Sequence, residues 1–298
     1  MPLEGTIPHK TMIISLKMLC PLLEGCLWLL RLLVLFYLAR EKRYGKVHLE
    51  VIPNKDVEEK LKISYDALEY DQKYIFLDIA CFLIGVDRRI AFHMWDDCKF
   101  FPKNGIEVLI NMSMIKIGDN NEVQMHDQLR DLGRDIVRKE DFEERGKRNR
   151  VWFRDEAIDV LKSHTGTAKV KALKISQVED FELESQVKAL CLTNEEFANL
   201  SNLRFLQMDF AKLDGDFKGL LLNLRWLAWK GCPEIFSPTN FHLKNLVSLD
   251  LSQSKVTEDW EGWNYTKIAT KLKVLDLTGS KNMVLDNLSL SLSLSLNM

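Results

Sequence analysis

The chain has 298 residues, 46% hydrophobic and 28% charged, with a formal net charge of −2. That is room for about two globular domains and too apolar a composition for disorder; the near-neutral balance sets up no strong field to recruit nucleic acid or an anionic membrane. The six cysteines are scattered without a C-x-x-C, and the histidines lack H-E-x-x-H spacing, so neither a disulfide framework nor a zinc site is implied and a reducing, cytoplasmic compartment fits.

Residues 1–48 differ from the rest. Cys26 to Ala39 is an apolar run of 14 residues broken only by Arg31 and followed by Arg40, Lys42 and Arg43. It is a candidate membrane helix, but short of the ~20 residues a span needs. Upstream extension meets Glu24, Pro21 and Lys17, and no small-residue cleavage site marks a signal peptide.

Residues 49–150 read as a compact helical block. Val57, Leu61, Tyr65 and Leu68 mark one amphipathic helix. Ile75 to Leu83 is apolar all round except for Asp78, which predicts a central helix and a structural partner for that carboxylate, because a bare buried charge is too costly. Ile106 to Ile110 suggests another helix. Met114 to Ile117 and Glu122 to Met125 flank Gly118-Asp119-Asn120-Asn121, a hairpin signal. Leu129, Leu132, Gly133, Ile136 and Val137 then recur at helical spacing. A short strand thus delivers His126 and Asp127 to a helix start, whose free N–H groups and dipole suit an anion. Asp127 is expected as N-cap, leaving His126 free to face a ligand or a neighbouring domain; the competing reading is a capped helix with an ordinary surface histidine. Helices followed by a hairpin beside a helix is the plan of a winged-helix domain. Asp141 to Arg154 is charge-rich, and Arg145, Lys147, Arg148 and Arg150 opposite Glu140, Glu143 and Glu144 read as a solvated, salt-bridged connector.

Residues 151–186 read as a linker with a helix (Glu156 to Ser163), a break at Gly166 and a strand (Val170 to Ile175). From about residue 187 a repeat emerges. Leu203 to Met208, Leu224 to Trp229, Leu246 to Leu251 and Leu272 to Leu277 share an L-x-x-L-x-L frame, with starts 21, 22 and 26 residues apart. That is leucine-rich-repeat spacing, with leucines pointing into a stacked core. Val187 to Leu192 is a degenerate earlier copy on this reading, so that 187–298 forms a repeat array with a low-complexity tail, Leu288 to Leu296. Cys81 and Cys191, inside apolar runs, read as small buried hydrophobes. Trp226, Trp229, Trp260 and Trp263 are either contact residues or packing on the repeat flank.

Leu61-Lys62-Ile63-Ser64-Tyr65-Asp66-Ala67-Leu68, Ile75 to Phe82, Met125-His126-Asp127 and the leucine repeats occur in one order. Together, over roughly residues 49–280, they resemble plant disease-resistance proteins of the TIR–nucleotide-binding–leucine-rich-repeat type. In that family the Met-His-Asp triplet closes the winged-helix part of an ADP/ATP switch, and its histidine touches the β-phosphate of ADP in the off state. The resemblance implies that role for His126 and a geometry-locking role for Asp127, with ADP or ATP as the cofactor of the intact family. Its repeats sense an effector or clamp the switch. The departures are large: no G-x-x-x-x-G-K-[ST] is present, His9-Lys10-Thr11 being the nearest echo, and no TIR segment. A lone histidine cannot offset association entropy, so this chain alone is expected to hold no nucleotide. The family also carries a Gly-Leu-Pro-Leu-Ala-Leu segment upstream of the winged helix. Permissible codons for Gly25 to Phe36 encode a similar segment in a shifted frame, so residues 1–48 are also readable as a frame-shifted relic.

These readings combine into an α/β (α+β) chain, a helical winged-helix domain followed by a short leucine-rich-repeat solenoid. The expected function is that of a truncated immune-receptor fragment working through protein partners, such as a pathogen effector or another immune receptor, and not an enzyme, since no nucleophile, base and oxyanion set can be assembled. Two alternatives remain: a membrane-tethered interaction protein through Cys26 to Ala39, and a winged-helix DNA binder. Against the second, Asp127, Asp131 and Asp135 beside Arg130, Arg134 and Arg138 predict a helix face salt-bridged at i,i+4, so no nucleic-acid partner is expected.

Overall fold

The computed structural model describes residues 55–176 and 190–280, with side chains from residue 59 onward. All of them fall in one compact unit, Pro53–Met298. Residues 1–48, the apolar run Cys26 to Ala39 and the tail Leu288 to Leu296 lie outside the described residues. Among those described, no helix is long and apolar enough to cross a membrane.

The helical half begins with α1 (Lys55–Asp66) and α2 (Tyr70–Asp78). Glu69 and Gln72 form a capping box that starts α2. The helix widens into a π-helical turn over Ile79–Leu83, and Ile75, Phe76, Ile79 and Ala80 are wholly buried, as an all-round apolar segment requires. Next come α3 (Arg88–Asp97), capped by the Asp87 carboxylate accepting from the Arg89 N–H, and α4 (Pro102–Asn111) with proline in its first turn. The antiparallel hairpin β1 (Lys116–Ile117) and β2 (Val123–Gln124) closes through the predicted turn, and α5 (Asp127–Arg138) follows. Gly133 lets α5 lie directly on α2: a Cβ there would stand 2.6 Å from that of Ala80 and 3.2 Å from the Phe76 ring.

The second half is a six-stranded parallel ladder in the order β3 (Arg150–Val151), β4 (Ala172–Ile175), β6 (Phe205–Asp209), β8 (Trp226–Lys230), β9 (Ser248–Asp250) and β10 (Val274–Asp276). A separate parallel pair joins β5 (Cys191–Thr193) to β7 (Lys212–Asp214). The helix α6 (Arg154–Lys162) and the single turns α7 (Asn194–Phe197) and α8 (Trp263–Thr266) complete it. The register lines up Leu173, Leu206, Leu227, Leu249 and Leu275 in one column, the axis of the ladder's apolar core. The neighbouring column, which includes Ala172, Phe205 and Trp226, points the other way and joins the core of the helical half. There the Phe82 and Phe205 rings sit 4.9 Å apart. Polar groups fasten the same junction: Asp97, at the end of α3, accepts from Arg225 at 2.7 Å and Lys271 at 2.8 Å.

Several expectations need correcting. Arg150 is not part of a solvated connector; strand alternation turns it into the helical core at 1% exposure while Val151 faces the ladder core. Arg148 is buried too. The helix and strand expected in 151–186 are α6 and β4, both packed into the ladder. Of the stretch 187–192 only 190–192 are described, and there Cys191 and Leu192 belong to β5, outside the main ladder. The rung before β6 is β4 instead. Cys81 is buried, but Cys191 is exposed, because β5 turns Leu192 inward and its neighbour outward.

Candidate functional site

The sequence-predicted site assembles where β2 hands over to α5. His126 has extended backbone (φ −67°, ψ 142°), and its Nδ1 accepts the Gln128 N–H at 3.2 Å. The histidine is therefore the N-cap, and Asp127 is the first helical residue. This reverses the expected roles, for the Arg130 N–H already bonds the His126 carbonyl, which starts the helix one residue early. With Nδ1 accepting, the ring proton sits on Nε2, so His126 presents an outward N–H donor on an exposed side chain. Asp127 is exposed and pairs with Arg130 at 2.6 Å. The other α5 charges are also engaged: Arg130 with Asp131, Arg138 with Asp135 at i,i+3, and Arg134 with the Ala80 carbonyl. The predicted salt-bridged face is thus present with tighter spacing than i,i+4.

His126 stands at the edge of an open groove of about 570 Å³. Leu61, Met114, Ile115, Met125 and Leu129 supply its apolar lining, and Ser113, Lys116, Gln124 and Gln128 line it beside His126. One imidazole N–H and one ammonium are a partial match for a phosphate group, and Ser113, Gln124 and Gln128, the other polar residues of the lining, bring no further cation for a diphosphate's charge. The residues present do not by themselves fit a nucleotide.

In the core of the helical half, Asp78 has found its partners. Its carboxylate accepts from Arg150 Nε at 2.8 Å and from the Trp95 indole N–H at 2.8 Å. Arg150 also donates to the Tyr74 carbonyl at 3.1 Å, with its guanidinium 4.4 Å from the Tyr74 ring centroid. Burial pushes the Asp78 carboxyl up, against the pull of Arg150 and Trp95. Burial likewise raises the Tyr74 hydroxyl and pushes the Cys81 thiol up to about 12, so that cysteine stays protonated and inert. Sequence reasoning foresaw that Asp78 is paired but not with what; Arg150 is 72 residues away. It also missed a ladder of asparagines. Asn202, Asn223 and Asn245 each donate from Nδ2 to a carbonyl of the preceding coil, on Ala168, Ser201 and Leu222, all at 2.9 Å. The signal was legible: each asparagine directly precedes the first leucine of a rung. Trp226, Trp229 and Trp260 are buried in the two cores and Trp263 packs against one, which favours packing over free contact. Among the described residues, no group of histidine, cysteine or carboxylate side chains could hold a metal ion.

Residues 69–141 match the winged-helix domain of Roq1-like disease resistance proteins. The chain is 33% identical over 225 residues to the TMV resistance protein N of Nicotiana glutinosa, covering 76% of this chain and 18% of that protein. It is 32% identical over 263 residues to the disease resistance protein RPP2A of Arabidopsis thaliana, covering 84% and 19%. It is 31% identical over 263 residues to RPV1 of Vitis rotundifolia, covering 79% and 18%. The chain thus spans about a fifth of the length of these relatives. All three are named as plant resistance proteins. The helices from α2 onward, the hairpin and the capped α5 accordingly fall in the stretch that matches a winged-helix domain, in a chain similar over most of its length to one part of plant resistance proteins.

Proposed function

We propose that this chain is the winged-helix and early repeat part of a TIR-type plant immune receptor, acting in the cytoplasm as a protein-interaction and regulatory module and not as an enzyme. The parallel ladder is the start of a leucine-rich-repeat solenoid on this reading. Its leucine column, its rungs of 21 to 26 residues and its asparagine ladder support that identification. The partners are proteins, a pathogen effector or another receptor, met along the extended surface such a stack offers.

One observation carries the reading of the site: the Met125-His126-Asp127 triplet sits at a helix start with the His126 Nε2 donor outward on a groove. That is the place for a latch on the β-phosphate of ADP in a receptor that also supplies a phosphate cradle. Without the cradle the latch has nothing to close on, so the chain by itself binds neither ADP nor ATP. Titration calorimetry is expected to give no ADP heat for the chain or for His126→Ala. Micromolar ADP binding that vanishes in the variant would overturn this.

A further inference from the structure

A second groove, of about 600 Å³, lies between α3 and α4 on the helical half. Phe92, Ile106 and Ile110 make it apolar, and Arg88, Lys103 and Glu107 stand around it. Arg89, also on its edge, is held by the Asp87 carboxylate at 2.6 Å. Arg88 and Lys103 have no side-chain ion pair among the described residues, which leaves two cations against the single carboxylate of Glu107. The groove therefore suits a large apolar side chain flanked by acids.

The chain carries such a group elsewhere. Phe142 is 69% exposed in the segment Glu140-Asp141-Phe142-Glu143-Glu144. Its turn is rigidly built. The buried Arg148 donates to the carbonyls of Asp141 at 2.6 Å and Phe142 at 3.3 Å. The Asp141 carboxylate accepts from the backbone N–H groups of Glu143 and Glu144, at 3.2 and 2.7 Å. The turn's cations are occupied: Arg145 on Glu156 and Asp159, Lys147 on Glu144. A single exposed hydrophobe is ordinary. Glu144 is taken by Lys147 and Glu140 by Asn149, which leaves the Glu143 carboxylate beside a braced aromatic, a preorganised anchor with little ordering entropy left to lose on docking.

We propose that the α3–α4 groove receives the Phe142 turn of a second copy of this chain. The two surfaces differ, so the contact is head-to-tail, and each added copy leaves one groove and one turn open. The phenyl ring enters between Phe92 and Ile110, and the Glu143 carboxylate meets the Arg88 and Lys103 side of the groove. Glu107 disfavours any acid placed directly over it, which fixes the side from which the turn enters.

Sedimentation velocity of the full chain over a concentration series tests this. The wild type is expected to shift from monomer to dimer and larger species, less so at high salt. Phe142→Asp and Lys103→Glu are each expected to remain monomeric with unchanged circular dichroism, since both positions are exposed. Mixing the two variants is the sharper arm: one keeps its groove and the other its turn, so a dimer should return and larger species should not. A wild type that stays monomeric up to roughly 100 µM, association that survives Phe142→Asp, or a mixture that stays monomeric overturns the proposal. So does a monomeric chain whose groove binds a synthetic acidic amphipathic peptide, because the occupant is then a foreign protein.

Discussion

The helical half and the ladder are fused along one sheet, yet they satisfy side-chain polarity in opposite ways, one at a buried cluster and the other in contacts near the surface. The helical half concentrates it in one costly place, where Asp78, Arg150 and Trp95 satisfy one another behind α2. The ladder distributes it. Its leucine column is wholly apolar, and its polar side chains make small, repeated contacts: an asparagine amide on each preceding carbonyl, and an aspartate on the N–H two residues on, as at Asp250 and Asp276. A concentrated solution fails all at once and a distributed one by degrees.

The largest test of that difference is Arg150→Ala. It leaves Asp78 buried and uncompensated, and should destabilise by about 3–5 kcal/mol in chemical denaturation. Replacing both residues with apolar ones, Asp78→Leu with Arg150→Met, should recover much of the loss; a double variant as weak as the single one would show that the pair does more than neutralise itself. Gly133→Ala comes next. Helix propensity alone favours alanine by about 1 kcal/mol, but the added Cβ has no room against Ala80 and Phe76, so a net loss of about 1–3 kcal/mol is expected. A more stable variant would mean that α5 can lift off α2 cheaply.

Two smaller tests address the ladder. Asn223→Ala removes one bond to the Ser201 carbonyl and should cost about 1 kcal/mol, with no change in cooperativity. Glu196 gives the pH test. Burial works against its charge, but hydrogen bonds from Lys162 and Thr193 prevail and hold the carboxyl down at about 2, against an ordinary 4.5. A carboxylate with a depressed folded pKa stabilises above its unfolded value, and the gain is lost as pH falls from about 4.5 to about 2. Lys162 is half exposed, so the loss is about 1 kcal/mol after screening. Thermal melts of Glu196→Gln should lack that portion of the acid dependence.

How much of this was legible in the sequence depended on the range of the determining interaction. Helices, hairpin turn and leucine spacing are local periodicities, and each appears where its pattern lies. The cap at α5 was misassigned by one residue because aspartate is the stronger N-cap in general, whereas here β2 releases the chain at His126 and the first helical bond closes on its carbonyl. Arg150 was misread because a run of charges looks solvated until the strand that alternates it inward is known. The groove at α3–α4 had no signal at all, since its lining comes from two helices that only packing brings together.

The asparagine ladder also governs where the molecule tolerates insertions. The amides tie successive coils just ahead of Leu203, Leu224 and Leu246, whose starts are 21 and 22 residues apart, whereas the step of 26 residues ends at Leu272, which Lys271 precedes. The longest step is therefore the one in which no asparagine tie sets the length, and extra residues are absorbed there. The strands keep their register across that longer step, so the sheet that carries the winged helix holds its spacing while the loop outside it lengthens.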